Sequence, residues 1–122
     1  FLSAYQLSDI ASKQIFIVIK GSINYYSGTA LLEISRAGSL LLDLRKTKYY
    51  SSTILVEVAK NKGTILLESS LRFYGGETLV TVAKFGKLIL INDAKYYSET
   101  VLQRLRVLGA KILPGPLLTI KY

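Results

Sequence analysis

The chain has 122 residues, half of them apolar and a fifth charged, a globular composition that can bury a core. It has no His, Cys, Met or Trp, which excludes Ser/His and Cys/His nucleophilic catalysis, thiolate and imidazole metal sites, disulfides and haem ligation. Sixteen Lys and Arg against eight Asp and Glu give a net charge of +8, which favours anionic partners and also serves solubility.

The sequence opens on Phe1, as a fragment or a processed product does. Its longest apolar run, residues 15–19, falls far short of the roughly 20 residues needed to span a bilayer, so this chain is expected not to insert into a membrane. Residues 1–13 read as a lead-in segment with a short helix around 8–13, and residues 14–19 as the first strand.

From there one unit repeats four times. It opens with Tyr25-Tyr26-Ser27-Gly28-Thr29, Tyr49-Tyr50-Ser51-Ser52-Thr53, Phe73-Tyr74-Gly75-Gly76-Glu77-Thr78 and Tyr96-Tyr97-Ser98-Glu99-Thr100. Positions 27, 51, 75 and 98 are 24, 24 and 23 residues apart. Each opening leads to an apolar stretch, then Gly38, Gly63, Gly86 or Gly109, then a second apolar run at 40–42, 65–67, 88–91 or 112–113.

Ser27, Ser51, Gly75 and Ser98 fit the N-cap of a helix, with the aromatic before each cap at N′. Leu31, Leu55, Leu79 and Leu102 then fall at N4, which completes a hydrophobic staple in every unit. The four glycines fall at C′, where a left-handed residue closes a helix. A competing reading makes each unit a β-hairpin turning at residues 36–38, 61–63 and 85–86, and the β-branched run Thr78-Leu79-Val80-Thr81-Val82 favours it. The last unit decides for the helix, because Val101, Leu102, Leu105 and Leu108 follow helical spacing.

The expected fold is therefore a single α/β domain over residues 1–122, an open and mostly parallel sheet of four βα units of about 24 residues. Helices on both faces would make it three-layered and flavodoxin-like, because the strands read as continuous apolar runs. Residues 117–122 supply a candidate terminal strand after Pro114-Gly115-Pro116.

The loops that leave the strands, residues 20–26, 45–50, 69–74 and 93–97, hold the candidate ligand or anion site: Tyr26, Arg45, Lys46, Lys48, Tyr50, Arg72, Tyr74, Gly75, Gly76, Lys95 and Tyr97. The bland reading of these tyrosines is that they are staples. Asp43, Glu68 and Asp93 each close a strand, and convergence would let them hold Mg²⁺. Polar residues at strand ends are also what emergence into water requires. Arg104, Arg106 and Lys111 form a basic patch that equally suits a helix C-terminus. Phosphate-loop and nucleophile-elbow motifs are missing, and no cofactor is expected.

Two stretches, Tyr25-Tyr26-Ser27 through Leu40-Leu41-Leu42-Asp43 and Phe73-Tyr74-Gly75 through Leu88-Ile89-Leu90-Ile91-Asn92-Asp93, resemble the signature of non-catalytic class I glutamine-amidotransferase-like domains. Such domains occur in gliding-motility ABC-transporter accessory proteins, intraflagellar-transport proteins and archaeal membrane-anchored proteins. The continuation to Leu108-Gly109-Ala110-Lys111-Ile112 is similar as well, although this chain has one Gly where two are usual. The resemblance implies a flavodoxin-like scaffold that binds or assembles and does not catalyse. It transfers no catalytic residue, since the Cys nucleophile and His base of true amidotransferases are missing.

Three functions are compatible with these residues. A non-catalytic interaction or assembly domain of a larger or processed protein, with a protein partner or self-association, accounts for the missing catalytic types. Nucleic-acid or polyanion binding would use the charge and the Tyr/basic loops. Mg-dependent phosphoryl transfer would use the three acidic residues.

Overall fold

The computed structural model describes residues 2–12, 17–20, 26–45, 50–69, 74–92 and 95–114. Helices and strands alternate along the chain in the order α1 (Ala4–Ser12), β1 (Ile17–Lys20), α2 (Gly28–Ala37), β2 (Leu40–Asp43), α3 (Ser52–Lys60), β3 (Thr64–Glu68), α4 (Gly76–Phe85), β4 (Lys87–Asn92), α5 (Glu99–Val107) and β5 (Lys111–Pro114). The strands form one open parallel sheet, which bears out the α/β reading over hairpins. The first strand begins at Ile17, and the candidate strand at 117–122 lies outside the described residues.

The helices start where the caps direct them. The Ser27, Ser51 and Ser98 hydroxyls accept from the amides of Ala30, Ile54 and Val101, at 3.2, 3.4 and 3.3 Å. Gly75 occupies the same place without a side-chain bond. The staple leucines are sealed: Leu31, Leu55, Leu79 and Leu102 all lie in the core.

A fifth unit precedes the four that the Tyr-Tyr-Ser openings reveal. The Ser3 hydroxyl accepts from the Gln6 amide at 3.1 Å while Gln6 Oε1 accepts from the Ser3 amide at 2.8 Å, a reciprocal capping box. Ser3 stands 24 residues before Ser27, and Leu7 is its buried N4 residue. The lead-in helix is thus a full repeat, starting at Ala4 instead of near residue 8.

The strand order is β1-β2-β3-β4-β5, each strand pairing with its successor. Successive right-handed crossovers in one direction place every helix on the same side, and neighbouring helices pack in the same order. The sheet shares its open parallel character with flavodoxin-like domains, but its order lacks the reversal that lets helices cover both faces. Among the described residues the helices form one row, while Thr64, Leu66 and Ile91 on the other face of the sheet are buried as well. One set of alternate strand residues, Ile17, Ile19, Leu40, Leu42, Ile65, Leu67, Leu88 and Leu90, enters the core under the helices.

The helix exits differ from expectation. Only Gly109 takes a left-handed conformation, with φ 93°, and after α3 that role falls to Lys62, with φ 69°. Gly38 and Gly86 are extended (φ −179° and −134°), so closing the helix is not what Gly86 is for. A Cβ on Gly86 would lie 2.7 Å from the Gly63 carbonyl oxygen and 2.8 Å from the Ala59 backbone, so the glycine lets one unit's exit touch the unit before it.

Two substitutions test this account in chemical denaturation. Gly86→Ala drives a methyl into backbone and is expected to cost about 2 kcal/mol. Gly75→Ser is expected to stabilise by about 1 kcal/mol, since nothing lies within 4 Å of the new Cβ, the backbone is already in cap geometry, and the serine supplies the missing bond.

Candidate functional site

At the end of the sheet where strands give way to helices, the second tyrosine of each opening forms a ladder. The Tyr50 hydroxyl donates to the Tyr26 carbonyl at 2.5 Å, Tyr74 to Tyr50 at 2.6 Å, and Tyr97 to Tyr74 at 2.6 Å. Tyr26 begins the series by donating to the Leu2 carbonyl at 2.6 Å. The cap places each ring at N′ and the staple holds it beside the N4 leucine, which aims the hydroxyl along the stack at the preceding unit. Tyr50, Tyr74 and Tyr97 are buried, and burial pushes the Tyr74 and Tyr97 hydroxyls up to about 12. A smaller contribution comes from Tyr97 beside Tyr74, and from Tyr96 beside Tyr97.

The other candidates divide between structure and surface. Arg45 turns back on Asp43, its Nε and Nη2 donating to the carboxylate at 3.1 and 2.9 Å while its own amide donates at 3.0 Å. Lys95 is exposed with φ 52°. Gly76 packs against α5, since a Cβ there would come within 3.0 Å of Val101, and its first-turn position serves the contact between helices. Lys46, Lys48, Arg72 and Asp93 lie outside the described residues.

The acidic residues that are described do not line up. Asp43 pairs in register with Leu66, two residues before Glu68, and the Arg45 guanidinium occupies its carboxylate. Among the described residues no three His, Cys, Asp or Glu side chains gather as a metal site would require.

The basic patch on α5 is largely neutralised: Arg104 reaches Glu77 on α4 at 2.8 Å, and Arg106 reaches Glu99 at 3.3 Å. The Arg104 hydrogen bond, followed by its charge, holds the Glu77 carboxyl below the usual carboxylate range. A broad groove of about 970 Å³ runs over the same two helices, lined by Val80, Lys84, Gln103, Arg104 and Val107 among others, on the helical side of the molecule.

Sequence reading missed the sheet face opposite the helices. Alternate residues set there Val18, Leu41, Ile89 and Leu113, all half-buried, together with the exposed Lys20, Lys87 and Lys111. Register joins them in rows, Val18–Leu41–Thr64–Lys87 and Lys20–Asp43–Leu66–Ile89–Lys111.

The ladder makes stability fall in alkali. Below pH 10 the hydroxyls are protonated in both states and the ladder contributes in full; between 10 and about 12 the unfolded chain releases protons that the native Tyr74 and Tyr97 retain, so each tyrosine removes about 1.4 kcal/mol per pH unit. Tyr74→Phe is expected to lose about 1–2 kcal/mol at neutral pH and to flatten that alkaline decline, measured by denaturation at a series of pH values. Compared with family models, curated proteins and solved structures, the chain matches none.

Proposed function

We propose that this chain is a non-catalytic interaction and assembly domain that engages a protein partner, or a second copy of itself, through the sheet face opposite the helices. The observation that carries this reading is the single row of helices. The described helices leave the other side of the sheet to a row of half-buried Val18, Leu41, Ile89 and Leu113 beside the buried Thr64, Leu66 and Ile91, and repeat proteins of this construction bind through such faces. Val18, Leu41, Ile89 and Leu113 supply half-buried apolar area across this face, and Lys20, Lys87 and Lys111 supply charge at the strand ends. The missing His and Cys and the capture of Asp43 by Arg45 fit binding without catalysis. The resemblance to non-catalytic amidotransferase-like domains points to the same kind of role, as far as an open parallel sheet carries it.

The polyanion reading needs tyrosine rings that bases can stack on. Tyr50, Tyr74 and Tyr97 are buried in the ladder, which leaves charge as its main support. A salt-dependent mobility shift on DNA or RNA would favour it over the protein-partner reading.

The test is Ile89→Glu, which places a carboxylate at a half-buried position on that face. Light scattering of the unaltered chain is expected to give a mass above the monomer, or a captured partner cross-linked through residues of β2 and β4. The variant is expected to lose that association about tenfold or more while keeping its circular dichroism spectrum. A strict monomer that captures no partner overturns the proposal.

A further inference from the structure

The net charge of +8 has a place in the fold. Arg36, Lys60 and Lys84 lie in the last turns of α2, α3 and α4, Lys62 in the exit from α3, and Lys87 and Lys111 are the first residues of β4 and β5. All are exposed, and because the strands run parallel they gather at one end of the molecule, where helices give way to strands. Asp43 and Glu68 close strands while Glu77 and Glu99 open helices, which sets those carboxylates at the opposite end. At the basic end Glu57 pairs with Lys60 at 3.6 Å, and no other ion pair engages these six cations among the described residues.

Helix dipoles account for part of this arrangement. A cation in a last turn complements the carbonyl end of its helix, which suits Arg36, Lys60 and Lys84. Lys62 donates to the Phe85 carbonyl at the end of α4, a single bond of 3.4 Å that leaves its ammonium further donors. Its backbone holds φ 69°, a conformation that glycine or asparagine adopts at lower cost. Lys87 and Lys111 meet no such demand, since each opens a strand.

The same end carries apolar surface. Val107, the last residue of α5, is 77% exposed and Leu108 after it 39%, while the half-buried Phe85 ring has the Lys60 and Lys84 ammoniums 5.4 and 5.8 Å from its centre. The groove over α4 and α5 reaches this end through Lys84, Val107 and Leu108. Lysines interleaved with aliphatic side chains suit the boundary between lipid headgroups and acyl chains, where ammoniums meet anionic oxygens and valine or leucine leaves water. A lysine ammonium is also a point charge that needs no fixed partner geometry, as a fluid headgroup layer requires. Nucleic-acid bases would need rings to stack on, and the exposed Tyr96 stands at the opposite end.

We propose that the helix-exit end docks on an anionic lipid surface, with Lys60, Lys62, Lys84, Lys87 and Lys111 against the headgroups and Val107 and Leu108 at the acyl boundary. No described helix is long and apolar enough to cross a bilayer, and the contact proposed is peripheral. It does not depend on what the sheet face binds, and Lys62 and Lys84, which the test alters, belong to the helical layer.

The experiment sediments the full chain with vesicles of equimolar phosphatidylserine and phosphatidylcholine, and with vesicles of phosphatidylcholine alone. Binding is expected to the first and not to the second, and Lys62→Gln/Lys84→Gln is expected to weaken it roughly 10- to 30-fold with an unchanged circular dichroism spectrum. Adding Ser52→Lys/Thr53→Lys to that variant returns the net charge to +8 at the opposite end and is expected not to restore binding. Because the chain has no Trp, Val107→Trp reports the contact directly, and its emission is expected to shift to the blue on the anionic vesicles. Equal binding to both vesicles or to neither, undiminished binding of Lys62→Gln/Lys84→Gln, recovery on adding the two lysines, or an unshifted Val107→Trp emission overturns the proposal. So does displacement from the vesicles by polyuridylate or polyglutamate at equal charge concentration, since a nucleic acid or an acidic polypeptide would then be the occupant.

Discussion

A phenol hydroxyl reaching back one repeat to a backbone carbonyl is the bond on which the rest of this architecture depends. The segments that carry the chain out of a strand and into the next helix are where a parallel stack leaves its backbone polar groups unpaired. The ladder answers that problem once per unit with the same atoms. A buried carbonyl that accepts a hydroxyl at about 2.6 Å is satisfied without water, and the ring that delivers the hydroxyl lies in the same core as the N4 leucines. One tyrosine therefore joins neighbouring units and anchors its own.

That double duty fixes the repeat length. Because the bond spans one unit each time, residues added or removed between rungs must be absorbed without moving either ring. In register, Lys20, Asp43, Leu66 and Ile89 are each 23 residues apart. The passage to the ladder tyrosine lengthens by one residue from unit to unit up to Tyr74 but not to Tyr97, so the difference in rung spacing is absorbed between strand and ring. A constant translation from unit to unit also explains the strand order. Each crossover repeats the one before, so no helix is sent to the other face, and the sheet keeps one side for the helices and one for whatever lies outside them.

The parts legible in the sequence are those written in local chemistry. Serine followed four residues later by leucine predicts where three of the helices begin, and the structure places every such leucine in the core. The first unit went unseen because Leu2 and Tyr5 break the aromatic opening, although Ser3, Gln6 and Leu7 spell a capping box and an N4 residue 24 positions before Ser27. The hydroxyl's role was partly visible. Phe73 stands in the first place of one aromatic pair, whereas the second place is tyrosine at 26, 50, 74 and 97, so only the second place keeps the oxygen. Its acceptor was not visible, because a carbonyl has no letter in a sequence. Nor was the single row of helices, since uninterrupted βα alternation serves a doubly wound sheet and a one-directional stack equally well.

The same bonds decide where function can reside. The groups that suggested chemistry at the strand ends are largely spent on structure: Asp43 on Arg45, and four tyrosines on their neighbours' carbonyls. A polar group committed in this way gives up its partner only at the cost of a buried, unsatisfied atom, which makes it a poor ligand and a good strut. Binding is left to surfaces that the stack produces but does not consume. The sheet face is produced by every unit, so it grows with the number of repeats and changes chemistry from row to row, from Val18–Leu41–Thr64–Lys87 to Lys20–Asp43–Leu66–Ile89–Lys111. Conserving the ladder position while varying the outward strand residues would change what such a scaffold binds without changing how it stands.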